Sequence, residues 1–208
     1  MTARRNRTRS PARGRPRLEP KPLILVVCEG EKTEPNYFSS FKSHYKISRI
    51  TIRTVPGAGV PLSVVSKARD LKNIADTAAA TYLDENLRYD AVWAVFDVDD
   101  HPELKTAIQV ARDNRIKLAI SNPCFELWLL LHHRDQPGIK HRHAVQKLLK
   151  TVMGEYDKGV NFVSYAEGYK QAVRRAELLG DCDLARCEPG PNPSTEVYRL
   201  TESILEET

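Results

Sequence analysis

The sequence has no long apolar segment. No run approaches the ~18 residues that a membrane-spanning helix needs, and the basic first residues are not followed by the apolar core of a signal peptide. A hydrophobic content of 41% with 28% charged residues is typical of a soluble globular protein. We therefore expect a cytoplasmic protein with no membrane partner.

Cysteine is also scarce, with four residues in the whole chain. Cys28 and Cys124 lie in apolar stretches, which predicts free thiols in the core. Cys182 and Cys187 are five positions apart, and no second Cys/His pair at zinc-site spacing accompanies them. This pattern argues against a structural zinc ion and, in a reducing compartment, against a disulfide.

Positive charge is concentrated at the N-terminus. Residues 1–22 contain eight Lys or Arg residues and one acid, Glu19, which gives +7. Because the net charge of the chain is +5, residues 23–208 carry −2. We predict that residues 1–22 form a disordered basic tail that binds polyanions weakly and without sequence preference. A flexible solubilising arm is the alternative interpretation.

The first half of the body alternates between strand-like and helix-like segments. Apolar segments rich in β-branched residues indicate buried strands, and helical periodicity follows each of the first three. This order predicts an α/β fold with a mostly parallel, four-stranded sheet flanked by helices. The predicted strands are 23–28, 50–55, 91–96 and 116–120, and the predicted helices begin with Thr33 as N-cap, at residue 61 and at Pro102.

The second half of the chain is predicted to be helical. The expected helices cover 124–133, 143–152, 166–179 and the residues that follow an Asn192-Pro193 cap. We therefore expect one domain over residues 23–208, with a core at about 23–133 and a helical C-terminal portion at about 134–208.

Acidic residues stand where two predicted strands end. Glu29 follows the first strand, and Asp97, Asp99 and Asp100 follow the third. Sites in open α/β folds form beyond the carboxyl ends of the strands, and clustered carboxylates repel one another unless they share a proton or a cation. The aspartates therefore indicate a site for Mg²⁺ or Mn²⁺. A solvated loop with an Asp helix cap is the alternative.

Four segments together resemble the RloB family. They are VVCEGEKTEPNYF at 26–38, VFDVDDH at 95–101, SNPCFELWLLLHH at 121–133 and NPSTEVYRL at 192–200. The RloB family is similar to Toprim-domain proteins, which include type IA topoisomerases, primases and OLD-type nucleases. The chain has no room for the separate domain that carries the topoisomerase tyrosine, and it lacks the zinc module of primases.

The resemblance implies roles for the acidic residues. The Toprim pattern has a glutamate after the first strand and Asp-x-Asp after a later strand, and Glu29, Asp97 and Asp99 match these positions. It implies that Glu29 is an acid/base or metal-coordinating group and that Asp97 and Asp99 hold Mg²⁺. Apart from the resemblance, Glu31 and Asp100 are second choices for a further ligand. If the two strands are neighbours, their ends lie about 4.8 Å apart and the carboxylates share one pocket.

Two polar residues of the apolar segment 124–133 are further candidates for catalytic roles. Glu126 needs a cation or hydrogen-bond partner if it is buried, and it could be a metal ligand or a base for water. His132 matches the RloB pattern and could neutralise a leaving group or orient Glu126. The alternative for His132 is a favourable cation at a helix C-terminus.

The expected function is that of a Mg²⁺-dependent Toprim-type nuclease that hydrolyses nucleic-acid phosphodiesters. The resemblance implies a role in bacterial phage defence beside restriction genes, often with an AAA/ABC-type ATPase partner. The first alternative is a non-catalytic nucleic-acid-binding or regulatory subunit of a defence complex, and the second is metal-dependent phosphotransfer on a small nucleotide. The sequence leaves open whether the substrate is DNA or RNA and whether the protein is a homodimer.

Overall fold

The computed structural model describes residues 22–48, 50–54, 60–98, 102–154 and 159–206. The predicted tail therefore lies outside the described residues except for its last position. Within the described ranges, no helix is long and apolar enough to cross a membrane.

The described residues form an α/β fold with five strands and seven α-helices. The strands are β1 (Ile24–Cys28), β2 (Ile50–Thr54), β3 (Ala91–Asp97), β4 (Lys117–Asn122) and β5 (Ser194–Thr195). The helices are α1 (Thr33–His44), α2 (Pro61–Tyr82), α3 (Leu104–Asp113), α4 (Glu126–Leu131), α5 (Arg142–Met153), α6 (Tyr169–Glu177) and α7 (Val197–Glu206).

The sheet has the strand order β2-β1-β3-β4-β5. Strands β1 to β4 pair in parallel, which confirms the predicted mostly parallel α/β sheet. The helices cover both faces because side chains alternate along each strand. In β1, Val26 and Cys28 pack with α1, α4, α5, α6 and α7, whereas Leu25 and Val27 pack with α2 and α3.

The sheet has one more strand than the four predicted. A helix directly after Asn192-Pro193 is a wrong prediction, because β5 intervenes and α7 begins only at Val197. Strand β5 pairs antiparallel with the end of β4, and the hydroxyls of Ser121 and Thr195 are hydrogen-bonded at 2.9 Å. A strand of two residues is too short to show an alternating pattern, so only its pairing with β4 reveals it.

The start of α1 also differs from the prediction. Thr33 is the first residue of the helix rather than its N-cap, and it is buried. The N-cap position is Lys32, which makes no capping hydrogen bond through its side chain. The Lys32 carbonyl accepts the first helical bond from the amide of Asn36 at 3.0 Å, which defines the cap position.

Helix α4 lies inside the core, as its apolar sequence predicts. All of its residues are buried, and its aromatic and aliphatic side chains join those of β1, β3 and α1 in one cluster. The aromatic stripe of α1 belongs to the same cluster, since Tyr37, Phe38 and Phe41 are each at most 1% exposed. This packing fixes α4 against the carboxyl end of the sheet, where Glu126 begins the helix.

The burial of α4 can be tested with Leu129→Ala. Leu129 is 0% exposed, so we expect truncation to lower the free energy of unfolding by about 2–5 kcal/mol, through lost apolar contact and a residual cavity. Urea denaturation measures this change, and Val152→Ala on the exposed side of α5 is the control. A loss below ~1 kcal/mol for Leu129→Ala would contradict a core position for α4.

Candidate functional site

The ends of β1 and β3 bring the first two candidate residues together. The strands are direct neighbours, with Cys28 opposite Val95, and the amide of Glu29 donates to the carbonyl of Val95 at 3.0 Å. The side chain of Glu29 then accepts a hydrogen bond from the amide of Asp97 at 3.0 Å. Glu29 and Asp97 therefore lie at the same edge of the sheet, as the metal hypothesis requires.

Four carboxylates surround the end of β3. We call Glu29, Glu34, Asp97 and Glu126 the carboxylate cluster. Burial raises the pKa of Asp97 well above its ordinary value, and the charges of Glu34, Glu126 and Glu29 raise it further. The cluster thus concentrates negative charge in a site where Asp97 is only 8% exposed, and such a site is stabilised by protons or cations.

Glu34 is a member of the cluster that sequence reasoning missed. It lies in the first turn of α1, where an acid is ordinarily explained by the helix dipole. In the structure it is buried and folds back over the turn after β1. A Cβ atom at Gly30 would collide with the Glu34 carboxylate, so glycine at this position permits the close approach. In the sequence, only the glycine four residues before Glu34 indicates that this side chain could approach the turn after β1.

Helix α5 supplies polar partners to the cluster from the C-terminal portion. Arg142 Nη2 lies 3.3 Å from Asp97 Oδ2, and its charge lowers the pKa of Asp97 against the effect of burial. Gln146, one helical turn later, donates from Nε2 to Glu126 Oε1 at 3.0 Å. Neither residue could be recognised from the sequence, because nothing in an amphipathic helix indicates which distant carboxylates it will contact.

Glu126 is buried and hydrogen-bonded, which confirms the expectation that it needs a partner. The buried thiol of Cys124 lies near the Glu126 carboxylate. Burial, followed by the charges of Asp97 and Glu126, raises the pKa of Cys124. Cys124 is consequently a protonated thiol rather than a thiolate nucleophile.

His132 lies in the aromatic core and not in the carboxylate cluster. Its Nδ1 is 2.9 Å from the carbonyl of Trp128, and its Nε2 is 3.4 Å from the hydroxyl of Tyr37. If Nδ1 donates to the carbonyl, Nε2 accepts from Tyr37 and the ring is neutral. Burial lowers the pKa of His132 to about 3, so the interpretation as a charged residue at a helix C-terminus is wrong.

The described residues cover only part of the predicted metal site. Asp99 and Asp100 lie outside them. Among residues 22–48, 50–54, 60–98, 102–154 and 159–206, no three His, Cys, Asp or Glu side chains are grouped as ligands of one ion. The chemistry of the donors nevertheless fits a hard divalent cation, because the cluster offers carboxylate oxygens, which Mg²⁺ and Mn²⁺ prefer.

The fold and the site together define a class of protein: an α/β protein with a carboxylate-rich site at the carboxyl edge of a parallel sheet. The model of the RloB-like protein family matches residues 24–204, which is nearly the whole chain, and the protein belongs to this family. Neither the curated proteins nor the solved structures include a significant match to the chain.

The neutral state of His132 predicts a pH dependence of stability. The pKa of a histidine in the unfolded chain is 6.5, whereas in the folded protein it is about 3. The unfolded state therefore binds the additional proton as the pH falls below 6.5, and the free energy of unfolding decreases until about pH 3. His132→Phe retains a ring and removes this titration.

We expect the wild type to lose about 2 kcal/mol more stability than His132→Phe between about pH 7 and about pH 5. Urea denaturation at both pH values measures the difference. The raised pKa of Asp97 has the opposite effect on stability, since its contribution is present at low pH and lost as the pH rises, but it acts in both proteins. Equal pH dependence in the two proteins would contradict a buried neutral histidine.

Proposed function

We propose that the protein is a Mg²⁺- or Mn²⁺-dependent nuclease of the Toprim type that hydrolyses nucleic-acid phosphodiesters. The observation that carries the proposal is the buried Asp97 at the carboxyl edge of the sheet: its amide is hydrogen-bonded to Glu29 at 3.0 Å, and burial together with the charges of Glu34, Glu126 and Glu29 raises its pKa. Clustered, desolvated acids with perturbed pKa values are typical of functional sites. The Toprim pattern that Glu29 and Asp97 match gives this site its chemistry.

The proposed ligands are Glu29, Asp97 and the adjoining Asp99 and Asp100. A bound divalent cation would polarise a phosphate oxygen and stabilise the charge that develops in the reaction. Asp97 would exchange its partner in this arrangement, because in the structure its carboxylate faces the guanidinium of Arg142 at 3.3 Å.

Two further residues have proposed roles in the reaction. Glu126 is the proposed base, since it is buried beside Asp97 and Gln146 Nε2 orients its carboxylate through a hydrogen bond of 3.0 Å. Arg142 is the proposed donor to a phosphate oxygen, because a planar guanidinium binds phosphate through two parallel hydrogen bonds. His132 has no direct role in this proposal, since it lies in the aromatic core.

The biological setting of the proposal comes from the family. The RloB resemblance implies a toxin or effector in bacterial phage defence that works with an AAA/ABC-type ATPase in the cytoplasm. The substrate is proposed to be a nucleic acid, either DNA or RNA.

A non-catalytic nucleic-acid-binding or regulatory subunit is the second candidate. It is favoured by the hydrogen bonds and ion pairs that already compensate the cluster: Asp97 pairs with Arg142, Glu29 binds the Asp97 amide, and Glu126 binds Gln146. In this interpretation the protein retains the Toprim-like fold without its catalytic activity. The positive charge of Arg142 then compensates the carboxylates in place of a metal ion.

Asp97→Asn distinguishes the two candidates. The substitution preserves the shape of the side chain and removes one negative charge from the cluster. For a nuclease we expect cleavage of plasmid, single-stranded DNA or tRNA with Mg²⁺ to fall on the order of 100-fold. We also expect the melting temperature in EDTA to be equal or higher, because ionising a buried acid with a raised pKa is unfavourable in the folded state at neutral pH.

The matched control is Asp70→Asn on the exposed side of α2, where the side chain is 58% exposed. It removes the same charge and should leave cleavage and melting temperature unchanged. A mutant at Asp97 that melts lower in EDTA and still cleaves would defeat the nuclease assignment at this site. A wild type that binds nucleic acid and never cleaves it, with or without an ATPase partner, would favour the non-catalytic candidate.

A further inference from the structure

A second concentration of positive charge lies next to the carboxylate cluster. Residues 132–150 contain five Lys or Arg residues and one acid, Asp135, which gives +4. Residues 23–208 carry −2 in total, so the body outside this segment carries −6. Residues 132–150, which include most of α5, therefore carry a net positive charge within a body that is acidic overall.

The geometry of α5 connects this charge to the cluster. Arg142, Gln146 and Lys150 are spaced four residues apart and share one row of the helix surface. The first two contact Asp97 and Glu126. The row therefore begins at the cluster and continues to Lys150, ~12 Å further along the helix axis.

Two lysines on this side of α5 are available to a ligand. Lys147 and Lys150 are exposed, and within the described residues neither side chain has a carboxylate or other hydrogen-bond partner. Their positions are fixed because Val145 and Leu149 on the opposite side of the helix are 0% exposed. The backbone of α5 is thus held rigidly while the two cations project into solvent.

We propose that Lys147 and Lys150, which we call the α5 lysines, bind the phosphate backbone of a nucleic acid and guide it to the carboxylate cluster. The inference rests on the proposed function and specifies the surface that it uses. A cluster of acids repels phosphate unless cations lie beside it. Lys150 continues the row that Arg142 begins, and Lys147 is its neighbour three residues earlier on the helix surface. Lysine is suited to this task because it contacts phosphates as a point charge without reading the bases.

The experiment is a binding measurement that does not depend on cleavage. The full-length protein is titrated in EDTA against a labelled single-stranded oligonucleotide and the corresponding duplex, over a series of salt concentrations. The variant is Lys147→Gln/Lys150→Gln. The control is Lys67→Gln/Lys105→Gln, which removes the same charge from α2 and α3 on the opposite face of the sheet.

Loss of two phosphate contacts has a defined signature. The slope of log affinity against log salt should become shallower by ~1.4 for a single strand or ~1.8 for a duplex, and affinity at low salt should fall about tenfold. The control variant should retain the slope of the wild type. The basic tail is present in all three proteins, so its contribution cancels in the comparison.

The outcomes separate this inference from the proposed function. An unchanged slope in the α5 variant, or an equal change in the control, would overturn the inference even if the wild type cleaves nucleic acid. A shallower slope for the α5 variant alone supports it even if the wild type proves inactive as a nuclease. A wild type that binds neither oligonucleotide would also overturn the inference. An acidic protein partner would then be the ligand that the α5 lysines favour.

Discussion

Parallel pairing of β1 with β3 is the constraint on which the site depends. The pairing places Glu29 one residue beyond the register and beside the amide of Asp97, to which it accepts a hydrogen bond at 3.0 Å. These residues are 68 positions apart in the chain. The intervening segment, which includes α2, packs on the sheet. The carboxyl ends of β1 and β3 are thereby held close enough for a hydrogen bond between Glu29 and Asp97.

Concentrating acids at this edge has a free-energy cost that other parts of the chain compensate. Burial and mutual repulsion raise the pKa of Asp97, while the guanidinium of Arg142 acts in the opposite direction. Gln146 donates a hydrogen bond to the carboxylate of Glu126 at 3.0 Å. Because Arg142 and Gln146 belong to α5, the C-terminal portion of the chain completes the electrostatics of the sheet edge. The site is a product of both halves of the protein.

Helix α5 has a different chemistry on each of its sides. Val145 and Leu149 bury one side in the core, Arg142 and Gln146 contact the carboxylate cluster, and the α5 lysines face solvent. The net positive charge of residues 132–150 thus lies beside the carboxylate cluster in a body that is acidic overall. The guanidinium of Arg142, paired with Asp97 at 3.3 Å, links α5 directly to the end of β3.

The sequence alone determined the order of the elements from β1 to β4, the four parallel strands and the location of the acidic strand ends. These features are local: apolar runs report strands, helical periodicity reports helices, and Glu29 and Asp97 stand directly after strands. The sequence predicts that Glu126 has a cation or hydrogen-bond partner, because a buried carboxylate needs one. It does not indicate that the partner is Gln146.

Tertiary structure alone decided the position of Glu34, the two partners from α5, the pairing of β5 and the neutral core setting of His132. The contacts of Arg142 and Gln146 span 45 and 20 residues, and β5 has only two residues. Local periodicity carries no information on which distant segments meet. The burial, hydrogen bonding and protonation of side chains at the site depend on these tertiary contacts, so they are established only when the chain is folded.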